Sequence, residues 1–361
     1  MQNKKKYVFI RRLESGIGTG GSEIINSYIS AILTKNYIAT NAVYLQRNSY
    51  NSFTDSFFAS LKMFAKLTYG KFLSRKVQNI TYSSISLNLL IKKIEREDNQ
   101  NLSLIFLNAA DYIEISQNYS NMKFCYFCQH LEFWDINFIQ FKQVVQEAHK
   151  VVCVSDYLYQ ICQSLSNYRN VLLLKNHRLH HIPQQIIPTN FRIYDYIFFI
   201  SHHYWKGYKD TLYCIKFLRE QFPNIKICAF GTNEEASIKK YLSDFKIDYF
   251  THINKSEVLD LFKKSKVFVY LSHFEGYGLP AVEALDCGTY VLSYNNYGIN
   301  TVSSPRLKVV GYRDLISIIN ELPISIKHSE SIAFKDVALP SVEENTNELI
   351  KFLNNNERLC Q

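Results

Sequence analysis

The chain has 361 residues, of which 47% are apolar and 20% charged, a composition typical of globular proteins that excludes wholesale disorder. The formal net charge is +9, and the whole excess lies in residues 1–180, which hold 21 basic and 12 acidic side chains, whereas residues 181–361 hold 20 of each. Such a one-sided positive field predicts an anionic partner for the first half. No apolar run reaches the ~18 residues that span a bilayer, and the start has no signal-peptide core, so we expect a cytoplasmic chain.

Predicted strands and helices alternate along the first half, which favours a parallel sheet covered by helices. Apolar runs predict six strands, at Tyr7–Leu13, Ala42–Gln46, Leu102–Leu107, Lys123–Cys128, Lys150–Ser155 and Asn170–Leu174. Amphipathic stretches predict five helices, at Ser22–Leu33, Ser56–Leu67, Ser86–Arg96, Ile139–Ala148 and Asp156–Leu165. Residues 175–195 contain Pro183 and Pro188 and show no clear period, which predicts a linker.

A second alternation follows the linker. Its predicted strands are Tyr196–Ser201, Ile225–Phe230, Tyr249–Thr251, Val267–Leu271 and Tyr290–Ser293. Its predicted helices are Lys209–Glu220, Glu234–Phe245, Lys255–Lys264, Pro280–Cys287 and, at the end, Val342–Leu353. The sequence therefore predicts an α/β protein of two Rossmann-like domains with a ligand cleft between them. We place the domains at 1–180, with a linker to about 195, and at 196–340, and expect the helix within 341–361 to pack back on the first domain.

The most informative stretch is an acidic, glycine-containing loop between a strand and a helix. Gly276 and Gly278 let the backbone approach a ligand closely, and Pro280 suits the first position of a helix. The amides of the loop and the positive end of the helix predict an anion site, as for a diphosphate. Two carboxylates, Glu275 and Glu283, flank that site, and each can accept hydrogen bonds from two hydroxyl groups. This arrangement suits a nucleotide-sugar, which has a diol at each end of a diphosphate.

The string from Glu275 to Gly288, EGYGLPAVEALDCG, resembles the E-x7-E element of retaining glycosyltransferases of the GT-B fold, specifically glycosyltransferase family 4, or glycosyl transferases group 1. The resemblance covers most of residues 196–310 and, more loosely, 1–180. It implies that Glu275 contacts the donor sugar and supports the positive charge that develops on it. It also implies that Glu283 holds the nucleotide ribose and that the amides around Gly278 and Leu279 meet the sugar and the diphosphate.

A lysine follows the first strand of the second domain, beside a glycine. Lys206 precedes Gly207 and is well placed to neutralise a leaving phosphate. The segment resembles the family's G-R-x4-K-G pattern, with Lys206 as the diphosphate lysine, but Ser201 stands where that family usually has an arginine. Three nearby side chains could supply the missing charge: His202, His203 and Lys209.

A glycine-rich loop follows the first predicted strand. The spacing of glycines over Gly16–Gly21 matches a dinucleotide fingerprint, but the end of the next strand holds Gln46 and Arg47 instead of the acid that NAD requires. Arg47 leaves an NADP-dependent oxidoreductase open as an alternative. The resemblance instead implies that Gly20 and Gly21 face the cleft, near the donor phosphates or the acceptor.

His130 follows the strand at Lys123–Cys128, where the family places a histidine that reaches the donor sugar. The resemblance thus implies a hydrogen-bonding role for it. Cys125 and Cys128 have the spacing of a metal-binding pair, but no second pair follows, so no metal site is predicted.

The segment Phe53–Lys76 interleaves aromatic and aliphatic side chains with five basic ones: Lys62, Lys66, Lys71, Arg75 and Lys76. This pattern suits either an anionic membrane surface or a core-facing helix with a solvated back. No nucleic-acid-binding module is recognisable, so nucleic acid is not predicted as a partner.

Residues and resemblance together predict a retaining, metal-independent hexosyltransferase without a cofactor. It would move a sugar from a nucleotide-diphosphate-sugar to a saccharide or lipid-linked saccharide acceptor. Bacterial surface polysaccharide or lipopolysaccharide assembly, at the inner face of the plasma membrane, is the expected setting. The alternatives are the oxidoreductase and a non-catalytic protein that binds saccharides or membranes.

Overall fold

The computed structural model describes residues 5–12, 20–35, 37–44, 83–84, 102–116, 124–166, 170–179, 186–232 and 235–355. The chain divides into two compact units, of which unit 1 comprises Met1–Leu179 and Pro340–Gln361 and unit 2 comprises His180–Leu339. Each unit contains a parallel sheet with helices packed against it. The predicted fold class, two Rossmann-like α/β domains, is confirmed. Within the described ranges, no helix is both long and apolar enough to cross a membrane.

Unit 1 has a seven-stranded sheet with the order β3-β2-β1-β4-β5-β6-β7. Its strands are β1 Lys6–Arg12, β2 Ile38–Tyr44, β3 Ser83–Ser84, β4 Leu102–Phe106, β5 Phe124–Cys128, β6 Lys150–Cys153 and β7 Val171–Leu173. Its first four described helices are α1 Gly20–Thr34, α2 Ala109–Ser116, α3 Phe138–Glu147 and α4 Asp156–Leu165. All described strand pairs of this sheet are parallel, which places the carboxyl ends of the strands at one edge.

Unit 2 has a six-stranded parallel sheet with the order β10-β9-β8-β11-β12-β13. Its strands are β8 Tyr194–Ile200, β9 Ile227–Gly231, β10 Asp248–Thr251, β11 Ser265–Tyr270, β12 Tyr290–Tyr294 and β13 Leu307–Val310. Its helices are α5 Tyr208–Gln221, α6 Ala236–Asp244, α7 Lys255–Lys263, α8 Leu279–Asp286 and α9 Leu315–Ser331. A core of buried aliphatic and aromatic side chains joins the central strands to helices α5 and α9.

The last helix, α10 Val342–Asn354, belongs to unit 1 and packs on α1. It begins with a capping box in which Ser341 and Glu344 satisfy each other's backbone amides. The side-chain amide of Asn345 donates hydrogen bonds to the Tyr28 hydroxyl (3.1 Å) and to the Lys175 carbonyl (2.7 Å). These contacts attach the helix to the unit that holds the beginning of the chain.

Four elements were not predicted. Strand β3 has only two residues. Helix α2 is short and starts where the Asn108 side chain accepts the amides of Ala110 and Asp111. Strand β13 is only four residues long. Helix α9 contains Pro323 in its interior, a residue that normally ends helices because it lacks an N–H group. Conversely, the helices predicted at Ser56–Leu67 and Ser86–Arg96 lie outside the described residues.

The predicted linker contains a buried arginine that belongs to the core of unit 2. The Arg192 guanidinium donates to the carbonyls of Ile187 (3.1 Å), Ser265 (2.7 Å) and Cys287 (3.0 Å) and to the Thr289 hydroxyl (3.0 Å). Burial, and to a lesser degree a second arginine nearby, lowers its pKa to about 10. Residues 186–195 are thus an integral part of unit 2 and not a flexible connection.

Candidate functional site

Two loops meet at the carboxyl edge of the unit 2 sheet, one after β8 and one after β11. Gly207 ends the first loop with a φ of +68°, and a Cβ atom there would lie 1.9 Å from the carbonyl oxygen of Leu271. Only glycine fits at that distance, whatever the backbone conformation. In addition, the His273 amide donates a hydrogen bond of 2.7 Å to the Trp205 carbonyl. The residues that follow β8 are therefore held directly against those that follow β11.

This contact brings Lys206 and Glu275 together. The Lys206 ammonium lies 2.6 Å from the Glu275 carboxylate, and Glu275 is 8% exposed. Burial alone would raise the pKa of Glu275, but the charge and hydrogen bond of Lys206, with smaller contributions from neighbouring hydroxyl groups, bring this pKa below its ordinary value. The glutamate is thus an anion at neutral pH, paired with the lysine that was predicted to hold a diphosphate.

The glycine loop after Glu275 is fixed by the loop after β12. The Glu275 amide donates to the Asn296 carbonyl (3.1 Å), and Glu275 forms an isolated parallel bridge with Tyr297. Gly298 packs so closely here that an added Cβ would lie 2.7 Å from the Glu275 carbonyl oxygen and 2.8 Å from the Tyr277 nitrogen. The sequence indicated Gly276 and Gly278 but not Gly298, because Gly298 packs against Glu275, which lies 23 residues earlier in the chain.

The loop ends at the start of helix α8. Gly278 is the N-cap with a φ of +90°, and Leu279 is the first helical residue, so Pro280 is second and not first as predicted. The amides of the first helical residues have no partner within the helix, which is the basis of anion binding at helix N-termini. Gly278 and Leu279 therefore lie at a helix N-terminus, and the anion site expected there stays a prediction.

Glu283, the second predicted carboxylate, lies on α8 among buried residues and is itself 8% exposed. Lys255, the first residue of α7, forms an ion pair with it. The sequence did not indicate that Lys255 would pair with Glu283, because the two residues lie on different helices that only the fold brings side by side. Both acids of the E-x7-E string are therefore matched by a lysine.

Ser201 is buried and takes part in the turn that precedes Lys206. Its hydroxyl accepts a hydrogen bond from the His203 amide (3.3 Å). The His203 ring lies 4.4 Å from the Trp205 ring and 3.9 Å from that of His202, measured between centroids. Burial and the nearby cations lower the pKa of His203, which keeps it neutral at neutral pH. Of the three side chains considered as substitutes for the missing arginine, His203 is therefore unsuited to that role.

A polar network that the sequence analysis missed lies beside this pair. Asp210, in the first turn of α5, accepts hydrogen bonds from His273 (3.3 Å) and from the hydroxyl of Tyr294 (3.1 Å). The hydrogen bond from His273 is the main cause that lowers the pKa of Asp210. The network ties the start of α5 to the ends of β11 and β12. The available signal was the position of His273, two residues before Glu275.

In unit 1, His130 lies just after β5 and is partly buried. Its Nδ1 accepts the Leu131 amide (2.9 Å), so in the neutral ring Nε2 carries the proton and is a donor. Gly21 lies in the first turn of α1, where an added Cβ would be 2.3 Å from the side-chain oxygen of Gln129, next to His130. Gly20 is the first residue of α1, whereas Gly16 and Gly18 lie outside the described residues. The structure thus brings Gly21 and the segment of His130 close together within unit 1.

The sequence did not indicate Glu132 as a candidate residue in this region. It is buried and has a φ of +55°. It accepts hydrogen bonds from the Ala109 amide (2.7 Å) and the Tyr126 hydroxyl (3.1 Å). Burial raises its pKa to about 8 in spite of these bonds. At neutral pH, this carboxyl group is therefore mostly protonated.

Three buried cysteines, Cys128, Cys153 and Cys162, place their sulfur atoms within 4.8 Å of one another. Cys125, the other member of the pair noted in the sequence, is not part of this group. Burial raises the pKa values of Cys128 and Cys153 well above the ordinary value, so these thiols are neutral. Neutral, fully buried thiols pack like small apolar side chains.

Comparison with known proteins places unit 2 in a family context. Residues 191–306 match the family model described as glycosyl transferases group 1. This range contains seven of the predicted site residues: Ser201, Lys206, Glu275, Gly276, Gly278, Leu279 and Glu283. The other three, His130, Gly20 and Gly21, lie outside it. No curated protein matches the chain by sequence.

Solved structures show that the fold is GT-B. TarM of S. aureus, in a complex with fondaparinux, α-GlcNAc-glycerol and UDP, is 10% identical and matches with a TM-score of 0.66 over 97% of this chain and 100% of its own. The pneumococcal O-GlcNAc transferase GtfA, bound to UDP and GlcNAc, is 7% identical, with a TM-score of 0.64 over 98% and 99%. Sucrose-phosphate synthase from Thermosynechococcus elongatus is 10% identical, with a TM-score of 0.63 over 98% and 95%.

Proposed function

We propose that the protein is a retaining, metal-independent glycosyltransferase that uses a nucleotide-diphosphate-sugar. The observation that carries the proposal is the Lys206–Glu275 pair, held at 2.6 Å where a glycine loop leads into the N-terminus of α8. A lysine, loop amides and a helix N-terminus together suit a diphosphate, and a carboxylate beside them suits the positive charge of a sugar that is losing its leaving group. The match of residues 191–306 to group 1 glycosyl transferases supports this assignment.

In the proposed reaction, the ion pair between Lys206 and Glu275 opens, and Lys206 binds the diphosphate of the donor instead. The bond between the anomeric carbon and the diphosphate oxygen breaks, and its electron pair stays on the diphosphate, where Lys206 stabilises the negative charge. Glu275 is then left facing the anomeric centre as an anion and stabilises the positive charge there. The acceptor hydroxyl attacks on the same face and passes its proton to the leaving diphosphate, so atoms and charge balance without a separate base.

Glu283 is proposed to hold the ribose. Its carboxylate can accept from two hydroxyl groups, and in its buried position it is paired with Lys255. The proposed roles of the unit 1 residues rest on the sequence resemblance. His130 would donate a hydrogen bond to the donor sugar from Nε2, and Gly20 and Gly21 would leave room for the phosphates or the acceptor.

The proposal is tested by thermal shift and by turnover with a panel of nucleotide-sugars that begins with UDP-GlcNAc and UDP-glucose. We expect one donor to raise the melting temperature, and Lys206→Met and Glu275→Gln each to lower turnover at least ~100-fold, because each removes charge stabilisation from the transition state. Lys266→Met is the matched control, because Lys266 is also a partly buried, ion-paired lysine of unit 2 but contacts Asp195 and Glu330 instead. Near-normal turnover in both site variants would disprove the assignment.

The acceptor is proposed to be a saccharide or a lipid-linked saccharide, in bacterial surface polysaccharide or lipopolysaccharide assembly at the cytoplasmic face of the plasma membrane. The segment Phe53–Lys76, proposed to contact anionic lipid, lies outside the described residues. Each well-placed cation near such a surface contributes roughly 1 kcal/mol. Reversing the charges of Lys62, Lys66, Lys71 and Arg75 should therefore abolish sedimentation with phosphatidylglycerol vesicles, while nucleotide-sugar binding persists. Unchanged sedimentation would make this segment an ordinary solvated surface.

A further inference from the structure

Three aromatic side chains cluster where β11, β12 and β13 end, and none of them has a role in the proposed donor site. We call Phe274, Tyr297 and Tyr312 the aromatic triad. Phe274 and Tyr297 are stacked, with ring centroids 5.6 Å apart and planes at 13°, and Tyr312 lies 5.4 Å from Phe274 and 5.7 Å from Tyr297. Tyr297 and Tyr312 are 38% and 42% exposed. Phe274 is partly buried, so the triad presents two adjoining exposed rings on a partly buried third.

The triad is coupled to Glu275 through the backbone. Phe274 directly precedes Glu275, and Tyr297 is its partner in the isolated bridge. The Asn296 carbonyl accepts the amides of both Glu275 and Gly298, and Gly298 lies in van der Waals contact with the glycine loop. The positions of the rings relative to Glu275 are therefore fixed by hydrogen bonds and close packing.

The position of the triad along the sheet distinguishes the two ends of the proposed donor. The order of strands is β10-β9-β8-β11-β12-β13, and the triad occupies the β11-to-β13 end. Glu283, at the proposed ribose position, pairs with Lys255 on α7, the helix that connects β10 to β11, so this pair lies on the side of α8 that faces away from β13. Glu275, to which the triad is coupled, is the residue proposed to face the sugar. The triad thus lies on the sugar side and not on the nucleobase side.

The chemistry around the rings is that of a saccharide site. The C–H faces of a pyranose stack on aromatic rings, while its hydroxyl groups need hydrogen-bonding partners. Two of the three triad members carry hydroxyl groups. Beside them, Asn295 accepts hydrogen bonds from the Tyr297 amide (3.1 Å) and from the side chain of Asn300 (2.9 Å), an exposed residue. The exposed Asn300 side chain has a second N–H and a carbonyl oxygen, which an apolar partner would desolvate at a cost and a sugar hydroxyl would bond.

We propose that the aromatic triad binds a pyranose ring of the acceptor saccharide by stacking, next to the donor sugar at Glu275. This inference rests on the proposed function and specifies its acceptor as a glycan that unit 2 itself contacts. The binding groups are the exposed rings of Tyr297 and Tyr312, with Phe274 as their support.

The test uses the full chain with UDP at saturating concentration and a panel of methyl glycosides of glucose, galactose, mannose and N-acetylglucosamine. Binding is measured by saturation-transfer NMR. We expect at least one glycoside to bind, and Tyr297→Ala and Tyr312→Ala each to weaken its binding about 5-fold, the usual size of one aromatic contact. Tyr213→Ala is the matched control, because Tyr213 is 57% exposed on helix α5, away from the triad.

A second measurement separates this inference from the proposed function. The thermal shift caused by nucleotide-sugars should be the same in the wild-type protein and in both triad variants, because the triad contacts the acceptor and not the donor. If nucleotide-sugars stabilise the protein but no glycoside binds, or if the variants bind glycosides normally, the triad has no such role. A loss of the nucleotide-sugar shift in the triad variants would assign the rings to the donor and would also overturn the inference. Tyr312→Ala keeps the test valid if Tyr297→Ala, with its positive φ, does not fold.

Discussion

The carboxyl edges of the two sheets have different electrostatic character although both sheets are parallel and covered by helices. In unit 2, this edge carries ionised pairs, Lys206 with Glu275 and Lys255 with Glu283. In unit 1, the ion pair at the corresponding edge, Lys175 with Asp156, is about 40% exposed, and the buried carboxyl group of Glu132 is mostly protonated at pH 7. The ion pairs of unit 2 thus have buried carboxylates, whereas in unit 1 the ion pair is exposed and the buried Glu132 is neutral.

In the proposed reaction, the diphosphate and the sugar of the donor need different binding groups. A nucleotide diphosphate needs cations and amides, which unit 2 supplies. A saccharide hydroxyl needs neutral donors and acceptors, and His130 in unit 1 offers a neutral donor when its Nδ1 accepts the Leu131 amide. The net charge of the sequence therefore does not indicate where the proposed anion site lies, because the ion pairs with buried carboxylates are in the half that has no net charge.

The largest expected effect tests the neutrality of Glu132. Its folded pKa of about 8 exceeds that of an unfolded glutamate, so the folded state binds the proton more tightly and stability falls as pH rises from about 4.5 to 8. Glu132→Gln should remove this slope. The difference in the free energy of unfolding between the variant and the wild type should change by on the order of 3 kcal/mol between pH 4.5 and pH 8. The measurement is urea unfolding followed by Trp134 fluorescence in a Trp205→Phe background.

Glu344→Gln is the control for this experiment. Glu344 is exposed, and its pKa is lowered by the hydrogen bonds of the capping box with Ser341. Its contribution to stability therefore has the opposite sign: it is present above the pKa of the unfolded state and is lost as pH falls. An unchanged slope in Glu132→Gln would mean that unit 1 does not bury a protonated acid, and the comparison would fail.

The next effect concerns Arg192, a buried charge of unit 2 that lies away from the ionised edge. Arg192→Met should destabilise unit 2 by about 3 kcal/mol, because the carbonyls of Ser265 and Cys287 lose their buried donor. Urea unfolding followed by Trp205 fluorescence, in a Trp134→Phe background, measures it. Arg219→Met is the matched control: Arg219 also donates to carbonyls, those of Phe245 and Ile225, but nearer the surface, and should cost under about 1 kcal/mol. If both variants lost the same free energy of unfolding, burial would not determine how much these hydrogen bonds contribute to stability.

The smallest effect refines the ionised edge itself. Asp210→Asn should lower kcat/KM about 10-fold with little change in melting temperature, because the hydrogen bonds from His273 and Tyr294 lose their charged acceptor and the loop that holds Lys206 is less firmly positioned. The control is Asp195→Asn, which removes the ion-pair partner of Lys266 near the start of β8, at the opposite edge of the sheet from Asp210. If both variants had the same activity, the network would be structural only.

The sequence predicted the parallel sheets because their strands are apolar runs bounded by turns, and it predicted the glycine loop because Glu275, Gly276 and Gly278 stand in a recognisable string. It did not predict which cation meets which carboxylate. Lys255 and Glu283 lie 28 positions apart, and their meeting depends on the packing of α7 on α8. Local patterns likewise placed Arg192 in a linker, since most of its partners come from two distant segments, around Ser265 and around Cys287 to Thr289.

Helix α9 shows the converse case, in which the sequence gives a clear local signal and the structure does not follow it. Its interior Pro323 predicts an interruption, yet the helix continues from Leu315 to Ser331. The carbonyl of Leu322 is hydrogen-bonded by the buried hydroxyl of Tyr196 on β8 (2.5 Å), and the helix packs on the central strands. Tertiary packing thus overrides a strong local signal, and no reading of residues 315–331 alone could show this.

The close pairing of Lys206 with Glu275 also affects how a donor would arrive. Two opposite charges 2.6 Å apart form a dipole whose field decays quickly, and the chain around them from residue 181 onward has no net charge. A diphosphate at a distance longer than the Debye length of ~8 Å would therefore feel little attraction. Encounter would be governed by ordinary diffusion, with an on-rate nearly independent of ionic strength. Selection of the ligand would begin only on contact, when the lysine changes partner.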